Sequence, residues 1–163
     1  MKLSSQEEYG LRCLLSLARQ GQGGSLTLAE MSQSEGISVA NVGKMMRVLR
    51  RAGFVKSTRG VDGGYTLSRP AEQINVGELL AALGGRLYDS HFCERHAGSE
   101  RLCTHLSDCS IRSVWQRIQR AVDQVVETLT LKDLTSTEHQ LSGSWQSSRG
   151  VMLSAIPLEG RRP

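Results

Sequence analysis

The chain has 163 residues, with 20 Lys and Arg against 16 Asp and Glu, a formal net charge of +4. This length supports one compact domain with an added element. No stretch is apolar for long enough to span a bilayer, and the polar start "MKLSSQEEYG" does not fit a secretory signal, so a cytoplasmic protein is expected.

Taken in chain order, the first helix is predicted to begin near Ser4 or Ser5, because Ser4 with Glu7 and Ser5 with Glu8 both have capping-box spacing. Leu11, Leu14, Leu15 and Ala18 repeat at helical spacing, and "GQGG" at 21–24 ends the run. Thr27 with Glu30 opens a short second helix that Gly36 stops. Ser38 is the predicted N-cap of a third helix, with Val42, Met45, Met46 and Leu49 on its apolar face. After Gly53, "FVKSTR" and "YTLSR" alternate as two strands, and "GVDGG" between them offers positive-φ positions for a tight turn. Asn75 with Glu78 starts a fourth helix through Val76, Leu79, Leu80 and Leu83.

The segment "HFCERHAGSERLCTHLSDC" is too rich in Gly, Ser and charge to be regular throughout. From Ser110 an apolar stripe of Ile111, Val114, Trp115, Ile118, Val122, Val125, Val126 and Leu129 predicts a long helix. So wide a face calls for a partner helix, and a second copy of the chain is the economical source. The expected organisation is a DNA-binding unit over 1–86, a cysteine loop over 87–109, a dimerisation helix over 110–136 and a disordered tail over 137–163. The fold expected is mainly α with a small β-hairpin wing: a winged helix-turn-helix followed by a long C-terminal helix.

Between Gly36 and Val61 there is no acidic residue, while Lys44, Arg47, Arg50, Arg51, Lys56 and Arg59 all lie there. An acid-free basic block points to a polyanion partner. In a helix-turn-helix the second helix enters the major groove with its N-terminal residues against the bases. The candidate DNA contacts are therefore Ser38, Asn41, Lys44, Arg47, Arg50 and Arg51, with Arg59 at the hairpin tip reaching a minor groove. Asn41 and Lys44 suit base reading, and some of Arg47, Arg50 and Arg51 suit phosphates. No glycine-rich cofactor fingerprint and no Ser/His/Asp arrangement suggests an enzyme or a small-molecule substrate.

Cys93, Cys103 and Cys109 cluster in a chain expected to stay reduced, which favours metal ligation or thiol reactivity over disulfides. Cys13 falls on the apolar face of the first helix and reads as a buried small hydrophobe. Zinc held by Cys93, His96, Cys103 and Cys109 is one option, although no Cys-x-x-Cys knuckle is present. Bare redox thiols are another.

The stretches "MKLSSQEEYGLRCLL", "LAEMSQSEGISVANVGKMMRVLRRAGFVKSTRG", "GGYTLSRP" and "INVGELLAAL", with three cysteines ahead of "SVW", resemble the bacterial Rrf-type regulators. That family includes the iron–sulfur assembly regulator IscR and the nitric-oxide sensor NsrR. The resemblance spans residues 1 to about 135. It implies a homodimer on palindromic promoter DNA, with Cys93, Cys103 and Cys109 holding a 2Fe-2S or 4Fe-4S cluster on each subunit. In IscR-like members a His three positions after the last cysteine supplies the fourth ligand, but Arg112 stands there. Other members use a carboxylate from the first helix of the opposite subunit, which corresponds to Glu8. His91, His96 and His105 are further candidates.

Overall fold

The computed structural model describes residues 4–58, 63–97, 103, 105, 108–136 and 140. Helix α1, Ser5–Arg19, begins where the Ser4 backbone N–H donates to the Glu7 carboxylate at 2.7 Å. It buries Cys13, Leu14 and Leu17. Helix α2, Leu28–Glu35, has a reciprocal cap: Glu30 N–H donates to Thr27 Oγ1 at 3.2 Å, and Thr27 N–H donates to Glu30 Oε2 at 2.7 Å. Gly36 ends it in the left-handed region at φ 64°, where a side chain would be strained. Helix α3, Val39–Arg51, follows at once, with the Ser38 hydroxyl accepting from Asn41 N–H at 3.4 Å. Its Val42, Met45, Met46 and Leu49 all face the core, as their spacing predicts.

Strands β1, Val55–Ser57, and β2, Tyr65–Leu67, pair antiparallel with Val55 opposite Leu67, a shorter ladder than the sequence suggests. Leu26 joins the wing: its N–H donates to Tyr65 O at 3.1 Å and its carbonyl accepts from Tyr65 N–H at 2.8 Å. Gly64 serves here by close approach and not by a positive φ, since an added Cβ would lie 3.0 Å from the Leu26 carbonyl oxygen. The hairpin tip expected to carry Arg59 lies outside the described residues.

Helix α4, Val76–Gly84, is capped by Asn75, whose Oδ1 accepts from Glu78 N–H at 3.1 Å. A single turn, α5, Phe92–Arg95, forms inside the cysteine segment. Helix α6 spans Ser110–Val126 and so stops well short of the expected 110–136. The reason is a set of long-range contacts. Asn75 Nδ2 donates to the Glu127 carbonyl at 2.7 Å, Val76 N–H donates to Leu129 O at 2.9 Å, and Leu131 N–H donates to Ile74 O at 2.8 Å. Leu131 is thereby fully buried in the same core as Leu14, Met46, Ile74 and Leu79. Residues 127–135 therefore pack on the winged helix and do not extend α6. The expected disordered tail over 137–163 lies, apart from Gln140, outside the described residues.

Candidate nucleic-acid interface and thiol segment

Helix α3 separates its chemistry by face. Val42, Met45, Met46 and Leu49 lie inward, while Ser38, Asn41, Lys44, Arg47, Arg50 and Arg51 are all exposed on the opposite side, with no acidic residue in the first turn. Arg50 reaches across to the wing, where Nη1 donates to Ser57 Oγ at 3.2 Å. This bond fixes the arginine at the junction of helix and hairpin, where a phosphate would be met by both elements. Lys56 is exposed beside Ser57 and extends the cationic surface. Periodicity gave no role to Val39, yet it is 51% exposed at the start of α3. Its signal in the sequence is its place directly after the N-cap.

The cysteines divide as their contexts suggest. Cys13 is fully buried, and its thiol pKa is pushed up to about 11, first by burial and then by the Glu35 charge. Cys93, Cys103 and Cys109 are unbridged and half-buried. Cys109 is the N-cap of α6, its sulfur accepting from Arg112 N–H at 3.3 Å. Cys93 sits on α5 with Sγ 3.6 Å from the Tyr88 hydroxyl. That bond is the main cause pushing the Tyr88 pKa up; burial adds to it, and Cys109 and Arg112 act on the same phenol with opposite sign. Tyr88, Cys93, Cys109 and Arg112 thus form one neighbourhood.

This neighbourhood is tied to α6. Tyr88 N–H donates to Gln119 Oε1 at 2.9 Å, Gln119 Nε2 donates to Asp123 Oδ1 at 2.8 Å, and Asp123 pairs with Arg86. Gln119 is buried, which a polar residue in a helical pattern does not announce from sequence. Of the histidines, His91 Nδ1 lies 3.0 Å from Glu94, and His96 Nδ1 lies 2.8 Å from the Phe92 carbonyl while its ring stacks on Phe92. The His105 carbonyl accepts from Arg112 Nη2 at 3.4 Å. Glu8 is exposed on α1. Among the described residues, no three His, Cys, Asp or Glu side chains converge to hold a metal ion. The thiols are the right donors for an iron–sulfur cluster or zinc, but the described side chains do not form a ready-made shell.

The outer face of α6 is apolar and open: Ile111, Val114, Trp115 and Val125 are each between 42% and 57% exposed. No helix among the described residues is long and apolar enough to cross a membrane.

The sequence profile of the Rrf2 family, described as an iron-dependent transcriptional regulator, matches residues 3–137. The chain belongs to the Rrf2 family. It is a transcriptional regulator with a DNA-binding winged helix, and the Rrf2 family is one of regulators, not enzymes. Protein rrf2 of Nitratidesulfovibrio vulgaris is 35% identical over 134 residues, covering 82% of this chain and 87% of its own. CymR of B. subtilis, titled the global cysteine regulator, superposes with a TM-score of 0.66 at 28% identity, covering 83% of this chain and 96% of that one. IscR of T. potens superposes with a TM-score of 0.64 at 30% identity, covering 82% and 85%. The α1–α2–α3–wing arrangement is therefore the Rrf2 winged helix, as the sequence motifs imply.

Proposed function

We propose that this protein is a cytoplasmic, homodimeric regulator that binds palindromic promoter DNA and senses its signal through an iron–sulfur cluster on Cys93, Cys103 and Cys109. The observation that carries this reading is the set of half-buried, unbridged thiols on a segment fastened to α6 through Tyr88 and Gln119. When bound, the cluster supplies a labile iron centre whose loss or oxidation changes the ligands' constraint. Cys109 starts α6 and Cys93 sits on the turn before it, so a group holding both ties the sensing segment to the helix with the open apolar face. Glu8 of the partner subunit is the proposed fourth ligand, because its equivalent here is exposed on α1 and Arg112 cannot ligate.

On the DNA side, Asn41 and Lys44 read base edges, Arg47, Arg50 and Arg51 hold phosphates, and Arg59 reaches a minor groove. Two such surfaces related by a dimer axis match a palindrome. A second reading is favoured by the lack of convergence among the described donors and by the likeness to CymR: a clusterless or zinc-bound regulator whose thiols respond to oxidation.

The test is binding of the full-length protein to a promoter duplex by fluorescence anisotropy, in oxygen-free, air-exposed and zinc-loaded preparations. The expected affinity differs between the first two, and log K falls steeply with log salt as phosphate contacts release counterions. Equal affinity in all three removes the sensing role. Affinity indifferent to salt removes the DNA surface.

A further inference from the structure

The geometry points to Val39 as a reader of the thymine 5-methyl group, an apolar specificity contact at the head of the reading helix. This rests on the DNA-binding reading above. The apolar side chains on the inner face of α3 (Val42, Met45, Met46 and Leu49) are at most 3% exposed, whereas Val39 is 51% exposed. An isopropyl group left half in water on the face of a basic helix is not part of this protomer's buried core. It follows the N-cap Ser38 directly, in the turn that a reading helix sets against base edges.

Its neighbours reinforce the assignment. Ser38, Ala40, Asn41 and Lys44 are exposed around it. Gly43, one turn on, puts no side chain beside it: an added Cβ there would meet only Leu28, at 3.7 Å. The first turn holds no carboxylate that could accept from a cytosine amino group. Among the groups that the bases project into the major groove, the thymine 5-methyl is the apolar one, while the others are hydrogen-bond donors and acceptors. That methyl is the group against which a valine can be desolvated without stranding a donor or acceptor. Val39 lies on α3, whereas the open apolar face expected to take a second copy of the chain lies on α6.

The experiment begins with a duplex selected from a random pool by the full-length protein. Each thymine is then replaced singly by deoxyuridine, which removes one methyl and leaves base pairing intact. Wild-type protein is expected to lose about fourfold in affinity at one thymine of each half-site, and about fifteenfold with both replaced, the worth of about one buried methyl each. Val39→Ser, a surface change, is expected to bind the thymine duplex correspondingly less well and to show no further loss on uridine replacement. Wild-type binding indifferent to uridine at every thymine overturns the assignment, as does a Val39→Ser protein that keeps the full uridine penalty. Failure to select any duplex overturns the DNA-binding reading itself, which separates the two.

Discussion

Val114→Asp on the outer face of α6 probes whether that face joins two protomers. Ile111, Val114 and Val125 are each 51–57% exposed, and Trp115 is 42% exposed. Fully burying a Val or Ile is worth about 1.5–3 kcal/mol, so covering the open half of each of these is worth about 1 kcal/mol. The open part of a tryptophan, roughly 100 Å², adds about 2.5 kcal/mol. Counted on both protomers this comes to about 11 kcal/mol, which is of the size needed to offset the cost of association. Replacing Val114 by Asp removes about 1 kcal/mol on each side and places a carboxylate where it must lose water without a partner. A combined loss of about 4 kcal/mol or more raises the dimer dissociation constant roughly a thousandfold. Sedimentation equilibrium at micromolar protein is expected to show a wild-type dimer and a monomeric variant. Far-ultraviolet circular dichroism should stay unchanged, because Val114 is exposed in the protomer. A variant that dimerises within threefold of wild type refutes the assignment of this face.

Leu131→Ala should destabilise the protein by about 2–5 kcal/mol in denaturant unfolding, since Leu131 is fully buried and its loss leaves a cavity; a change under about 0.5 kcal/mol means that the segment after α6 is not docked. Lys44→Ala should cost about 1–3 kcal/mol on the selected duplex and relax base preference at one position per half-site. In the same assay Arg50→Ala should weaken all sequences alike and reduce the salt slope, and an Arg50 variant with altered base preference contradicts the phosphate role. The Asp89 carboxyl is held below its ordinary pKa, first by its hydrogen bond from Arg95. Its contribution to the turn carrying Cys93 is thus present above the unfolded carboxylate pKa and lost as pH falls through the lower folded value. The protection factor for hydrogen exchange across α5, taken relative to the intrinsic rate at each pH, should be higher at neutral pH than in strong acid, and Arg95→Ala should remove that difference.

The parts of this molecule built from local rules were readable from the chain. Thr27 with Glu30, Gly36 and Ser38 fix the turn between α2 and α3, because capping and a left-handed glycine are decided by neighbours in sequence. The inward face of α3 followed from spacing alone. What failed to show was non-local. Leu131 continues a helical-looking run, yet Asn75 captures the carbonyls of Glu127 and Leu129 from 52 and 54 residues away and turns the chain back. Gln119 looks like a solvated helix position, and only the fold brings Tyr88 to it. Val39 was hidden because apolar periodicity identifies what is buried, not an apolar side chain left outside for a ligand.

Native mass spectrometry of the dimer prepared without oxygen, read together with visible absorbance, tests the central claim most directly. The expected result is iron and sulfide mass on each protomer and a coloured protein, with colour and mass both lost in Cys93→Ala, Cys103→Ala and Cys109→Ala. A colourless, iron-free dimer that still changes its DNA affinity on thiol oxidation contradicts the cluster and leaves the cysteines as redox thiols.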